Sequence, residues 1–195
     1  MKKKMSFLIL AIMVISILLV SKFNTDAKTV EEALTRFTVS KPISIIHEEK
    51  TVKGSILFYT HPSKGDFSTC FVKKSIFGYK VAYSGVGMDE EKVANMFGLS
   101  YYYWPNINGT SLPLYFGTIG NHDVSQVKIV EKKRNVEGTA KIINVSGMRI
   151  WLISMKGYQG SEFDIIGLSA DGKELVRIED NISPHYAEEK PFKGY

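Results

Sequence analysis

Hydrophobic positions in this chain follow three successive rhythms. Met5 to Val20 is a run of sixteen residues without a charge, and Lys2, Lys3 and Lys4 precede it. Between Thr29 and Phe37 the apolar residues fall at Val30, Ala33, Leu34 and Phe37, the spacing of one helix face. Thr29 is placed to cap that helix, with Glu32 three residues on to complete a capping box, and Pro42 forbids its continuation. From Ile43 onward the period shortens to that of strands. Runs rich in β-branched and aromatic residues occupy 43–47, 54–60, 67–75, 76–83, 124–131, 139–145, 149–155, 163–169 and 174–179, separated by Gly, Asn, Asp and Pro. In the run 76–83, Phe77, Tyr79, Val81 and Tyr83 are expected on one face. In the run around Trp151 both faces look covered, because Trp151 and Ile153 alternate with Ile150 and Leu152.

Two turns predict hairpins, Ala170-Asp-Gly-Lys173 through a tight primed turn and Ser146-Gly147. One helical pattern interrupts the strands. Asp89, Glu90 and Glu91 form an acidic first turn before Val93, Ala94, Met96 and Phe97, Met88 is placed to staple onto Val93, and Gly98 ends the segment. The stretch from Pro105 to Gly117 reads as turn-rich. The pattern predicts a single mainly antiparallel β domain, a sandwich or partly open barrel of about seven to ten strands with one or two short helices.

Charge explains the first rhythm. Sixteen residues make about 24 Å of helix, slightly less than a hydrocarbon core of about 30 Å. Lysines before an apolar run stay in the cytoplasm, so the remainder faces outward from a single-pass cell membrane anchor. The alternative is a secreted protein, cleaved after Thr25-Asp26-Ala27 so that Lys28 opens the mature chain. The expected organisation is an N-terminal signal anchor over 1–21, a linker over 22–28, one β-rich extracytoplasmic domain over 29–183 and a flexible tail over 184–195. Beyond residue 27 the chain carries 21 basic and 19 acidic residues, a net of +2, so electrostatics give no support to a nucleic-acid partner. The lone Cys70 allows no internal disulfide, lies too far in for lipidation and reads as a small buried hydrophobe.

Candidate chemistry is sparse. His47, His61, His122 and His185 show no metal-ligand spacing, but His61, His122 and Asp123, with Asp66 as a further carboxylate, would make a hydrolytic zinc site if two loops met. No nucleophile elbow, phosphate-cradling glycine loop or paired carboxylates occur, and the sequence implies no cofactor. Tyr101-Tyr-Tyr-Trp104 is the most unusual composition of the outer domain. On a strand it splits into two faces, and Tyr102 with Trp104 is the pair expected to be presented to a ligand or partner.

Several phrases carry a resemblance: Gly54-Ser-Ile-Leu-Phe-Tyr59, Val72-Lys-Lys-Ser-Ile-Phe-Gly-Tyr-Lys80, Leu112-Pro-Leu-Tyr-Phe-Gly-Thr-Ile-Gly120, Arg149-Ile-Trp-Leu152 and Ile166-Gly-Leu-Ser-Ala-Asp-Gly172. Over residues 30–179 the chain resembles a loose group of small uncharacterised, membrane-anchored, extracytoplasmic proteins of Gram-positive spore-forming bacteria. The resemblance implies a bacterial cell surface and a β-rich domain, and transfers no catalytic motif. The reading that follows is a membrane-tethered binding, sensing or interaction domain, held through residues 5–21 and working with a partner membrane protein or cell-envelope component. The alternatives are a cell-envelope hydrolase built on His61, His122 and Asp123, or an inhibitor that protects the cell against a secreted toxin.

Overall fold

The structure, a computed structural model, describes residues 10–18, 26–38, 42–61, 66–86, 90–145, 147–158 and 160–182. Residues 10–18 form helix α1, and α2 (Val30–Phe37) leads into β1 (Ser44–Thr51), β2 (Gly54–His61), β3 (Asp66–Ser75) and β4 (Gly78–Val86). Helix α3 (Glu90–Phe97) is followed by β5 (Tyr102–Trp104), β6 (Leu114–Thr118), β7 (Gln126–Glu131) and β8 (Val136–Thr139). The last strands are β9 (Lys141–Val145), β10 (Met148–Ser154), β11 (Glu162–Leu168) and β12 (Glu174–Asn181). All pairs are antiparallel and make three four-stranded sheets: sheet I in the order β1-β2-β3-β4, sheet II β5-β6-β10-β9 and sheet III β12-β11-β7-β8. The chain is mainly β with short helices, and no sheet closes into a barrel.

Helix α2 and the three sheets stack as successive layers because alternating side chains serve different cores. On one face of sheet I, Leu57, Tyr59, Cys70 and Val72 meet Val30, Ala33 and Leu34 of α2. Its other face presents Ile56, Phe58 and Phe71 to Trp104, Phe116, Ile150 and Leu152 of sheet II. The far face of sheet II carries Tyr115 and Trp151 onto Val127, Ile129, Phe163 and Ile165 of sheet III. Sheet II is therefore covered on both sides, and every residue of β6 is buried.

Local signals explain much of this. Thr29 caps α2, its Oγ1 accepting from Glu32 N at 3.1 Å, while Glu32 reaches back one residue beyond the usual box to accept from Lys28 N at 2.6 Å. Gly98, at φ +80°, ends α3. The β11–β12 hairpin corrects the expected primed turn: only Gly172 has positive φ, at +83°. The loop closes through Gly172 N to Ser169 O and Ser169 N to Lys173 O, a turn followed by a left-handed glycine.

Other expectations are also revised. Strands β6 and β8 lie largely in segments not expected to be strand, whereas β5 falls on the expected aromatic strand, and β6 sits in the middle of sheet II. A bulge between the Phe71–Tyr83 and Val72–Val81 pairs leaves Ala82 without an opposite residue. It turns Tyr83 away from Tyr79 and Val81 and into the core between sheets I and II. Phe37, Met96 and Phe97 are exposed, so their helix faces are narrower than the spacing suggested. The packed domain begins before the expected boundary at 29, because Ala27 is 2 % exposed and pairs with Tyr79. Trp151 is fully buried. The expected tail, His185 and residues 1–9 and 19–21 of the expected anchor lie outside the described residues.

Candidate functional site

The aromatic strand does not present a platform. Trp104 is 4 % exposed, edge-on to Tyr83 at 5.2 Å and to Phe116 at 4.9 Å. Tyr102, half-buried, stacks on Phe116 at 5.6 Å. Both side chains enter the core beneath sheet I, which overturns their expected exposure. Alternation separates two faces of β5, but sheet II has a sheet over each of them.

The opposite face of β5 meets a part-buried cluster of titratable groups. Tyr115 Oη donates to Asp180 Oδ2 at 2.5 Å and Tyr101 Oη to Oδ1 at 3.3 Å, with the Tyr103 ring 4.9 Å from that of Tyr115. Burial first, then the Asp180 charge, pushes Tyr103 up to about 12. Burial, followed by the hydrogen bond to Asp180, raises Tyr115, and burial followed by the Asp180 charge raises Tyr101. These phenols stay protonated at neutral pH, and Tyr101 and Tyr115 act as donors. The cluster ties sheet II to β12 of sheet III. No local sequence signal announces it, since Asp180 lies 65 residues from Tyr115 and 79 from Tyr101.

The hydrolase candidates stand apart from one another. His61 closes β2 of sheet I, its ring 5.4 Å from Tyr59, whereas His122 and Asp123 are exposed on the turn between β6 and β7. Among the described residues no group of three or more His, Cys, Asp or Glu is placed to hold a metal ion. The turn itself is held by Arg149, whose guanidinium donates to Val124 O at 2.5 Å and to the carbonyls of Asn121 and His122 at 3.4 Å. Cys70 is buried, and burial pushes its thiol up to about 12, so it remains a neutral packing group.

A cleft of about 210 Å³ lies beside the β6–β7 turn, between Ala94, His122 and Arg149, and two larger ones lie on the outer face of sheet I where α2 rests. One of these two, of about 290 Å³, lies beside Asp26, Arg36, Phe37, Tyr79 and Lys80. A second, of about 350 Å³, lies among Lys28, Glu31, Glu48, Lys50, Ser55 and Lys74. Mixed charge and hydroxyl groups suit these clefts to polar or ionic ligands rather than to a large apolar one. Sequence reasoning missed them because they form where the chain entering at Asp26 crosses β4, a tertiary event. No family model, curated protein or solved structure matches this chain.

Proposed function

We propose that this chain is a membrane-tethered binding or sensing domain on the outer face of a bacterial cell membrane, held by residues 5–21, with its ligand-binding clefts beside α2. The observation that carries the reading is the junction between anchor and domain. Asp26 and Ala27, just downstream of the apolar run, are 7 % and 2 % exposed, and Ala27 exchanges two backbone hydrogen bonds with Tyr79, at 3.1 and 2.8 Å. Cleavage after Ala27 would remove a residue that completes sheet I, which favours retention of the anchor over release.

Helix α1 supports the same reading. Leu10, Ile12, Met13, Val14, Ile15, Ile17 and Leu18 are all exposed, an apolar surface of the kind lipid covers. Among the described residues no helix is long and apolar enough to cross a membrane. In this reading the domain works together with a partner membrane protein or a component of the cell envelope. The resemblance to membrane-anchored proteins of spore-forming bacteria is consistent with that location.

The test is topology together with the native N-terminus. A reporter fused after Tyr195 should be active only outside the cytoplasm, and protein extracted from membranes should retain residues 1–27. A cytoplasmic reporter would sink the localisation. A mature N-terminus at Lys28 would turn the reading into that of a secreted domain.

A further inference from the structure

Sheet I ends in two hairpin tips built alike. The segments Lys50-Thr-Val-Lys-Gly54 and Lys74-Ser-Ile-Phe-Gly78 each run lysine, hydroxyl residue, β-branched apolar residue, one more residue, glycine. In each, the hydroxyl donates to the glycine carbonyl, Thr51 to Gly54 at 2.8 Å and Ser75 to Gly78 at 3.3 Å. Both glycines need a backbone that other residues rarely adopt, φ +148° at Gly54 and +143° at Gly78. In a four-stranded meander the first and third turns leave by the same end. Here the two tips touch, Lys74 N donating to Lys53 O at 3.0 Å.

What these tips expose is unusual for this molecule. Val52 is 94 % and Ile76 89 % exposed, the highest values among its exposed large apolar side chains. The described hairpin tips elsewhere are polar, with Lys132 to Asn135 before β8 and Asp171 to Lys173 before β12. Segments 50–54 and 73–78 hold four lysines, Lys50, Lys53, Lys73 and Lys74, and no acidic residue. None of the four is in an ion pair among the described residues, whereas Lys128, Lys132, Lys133 and Lys141 all are. Single exposed apolar residues need no explanation. Two, on adjoining tips that also carry four lysines outside any ion pair among the described residues, do.

The position of this end supplies the partner. Ala27 pairs with Tyr79, and Ser75 Oγ lies 3.3 Å from Asp26 Oδ2, so the chain from the anchor joins the domain at the β3–β4 tip. Only residues 21–25 separate the apolar run from Asp26, a span of roughly 20 Å at full extension. We infer that this paired tip is a second contact with the membrane that holds residues 5–21. Val52 and Ile76 enter the headgroup region of an anionic leaflet, and Lys50, Lys53, Lys73 and Lys74 engage its phosphates. The inference rests on the anchored reading proposed above. Tethering keeps the tips at high local concentration near the lipid surface, so contacts too weak to recruit a free protein suffice to orient this one. The domain then rests on the end of sheet I rather than swinging freely.

The test uses the full chain with Val52→Cys or Ile76→Cys carrying an environment-sensitive dye, since Cys70 is buried and stays unlabelled. The carriers are phosphatidylcholine vesicles with and without about a third phosphatidylglycerol, each containing spin-labelled lipid. Dye at either tip should be quenched at least ~3-fold more on the anionic vesicles, and K53E/K74E or a salt rise to about 0.5 M should abolish that difference. Dye at Asp171→Cys, on the β11–β12 turn of sheet III, should respond equally to both vesicle types. Flotation with the uncharged vesicles reads the anchor separately. Protein that floats on both while the tip dyes stay unquenched overturns the tip contact and leaves the anchor intact. Tip quenching that depends on phosphatidylglycerol, in protein that does not float with the uncharged vesicles, supports the tip contact and sinks the anchor. Failure to float on either overturns both, as equal quenching at Asp171 and the tips overturns the tip contact.

Discussion

Sheets II and III have the same strand count and antiparallel pairing, yet they meet water in opposite ways. Sheet II gives both faces to neighbouring sheets, and its polar groups are bonded inside: Trp151 Nε1 donates to Ser100 O at 2.9 Å, and the Ser100 and Thr118 hydroxyls lie 2.8 Å apart. Sheet III gives one face to the core and spreads ion pairs over the other, with Lys132 and Arg177 both held to Asp164, and Lys128 to Glu137. The lesson concerns where stability resides. At the buried positions of β6 and β10 in sheet II a change removes buried contacts or strands a buried polar group, whereas exposed pairs on sheet III are weakened by solvent screening.

Trp151→Ala in sheet II should cost about 3–5 kcal/mol, because it empties a fully buried site and strips the Ser100 carbonyl of a donor. An unchanged urea midpoint would break the contrast at its strongest point. Gly117→Ala comes next. A Cβ there would stand 2.0 Å from Ser100 O, so strands must part, and the cost should reach the upper end of the ~1–3 kcal/mol typical of overpacking. Urea melts of the variant should show it.

Tyr115→Phe removes the bond to Asp180 that joins the two sheets and should cost about 1.5–3 kcal/mol. The same cluster gives a pH dependence. Tyr103 lies at about 12 in the folded state against an ordinary value of 10.0, held up first by burial and then by Asp180, so the folded chain keeps a proton that the unfolded chain releases. That contribution is complete below about pH 10 and is lost as pH rises towards about 12. Urea midpoints taken between pH 8 and 11 should be flat and then fall, with a shallower fall in Tyr103→Phe. The smallest effect belongs to sheet III. Lys128→Ala, which breaks an exposed pair with Glu137, should cost about 0.2–1 kcal/mol, less in high salt. A loss approaching that of Trp151→Ala would show that the ion-pair face is as decisive as the core.

The same contrast governs what could be read from the chain. Strands β7, β11 and β12 announce themselves because one wet face leaves a period of two and their turns carry Gly or Asn. Strand β6 does not. With both faces covered it has no alternation to show, and Pro113 and Gly117 read as turn residues although Gly117 marks the close approach of the Ser100 backbone. Tyr102 and Trp104 were separable from Tyr101 and Tyr103 by parity, but parity does not say which layer covers each side. The β4 bulge likewise sends Tyr83 to the opposite face without any punctuation in the sequence. Helix α2 was legible down to its cap, since Thr29 and Glu32 act locally. The clefts beside it and the Asp180 cluster depend on contacts across long stretches of chain and left no local mark.

The Ala27–Tyr79 bridge also sets how the domain would bear mechanical load. Tension on a membrane-held N-terminus arrives at the Asp26–Ser75 contact and then at two backbone hydrogen bonds, Ala27 N to Tyr79 O and Tyr79 N to Ala27 O. Once these part, the next resistance is α2, which buries Val30, Ala33 and Leu34 against sheet I. Peeling it away would uncover Leu57, Tyr59, Val72 and the thiol of Cys70 while leaving the cores between the sheets closed. The molecule thus has a weak outermost layer in series with its tether, and the one cysteine lies directly beneath it.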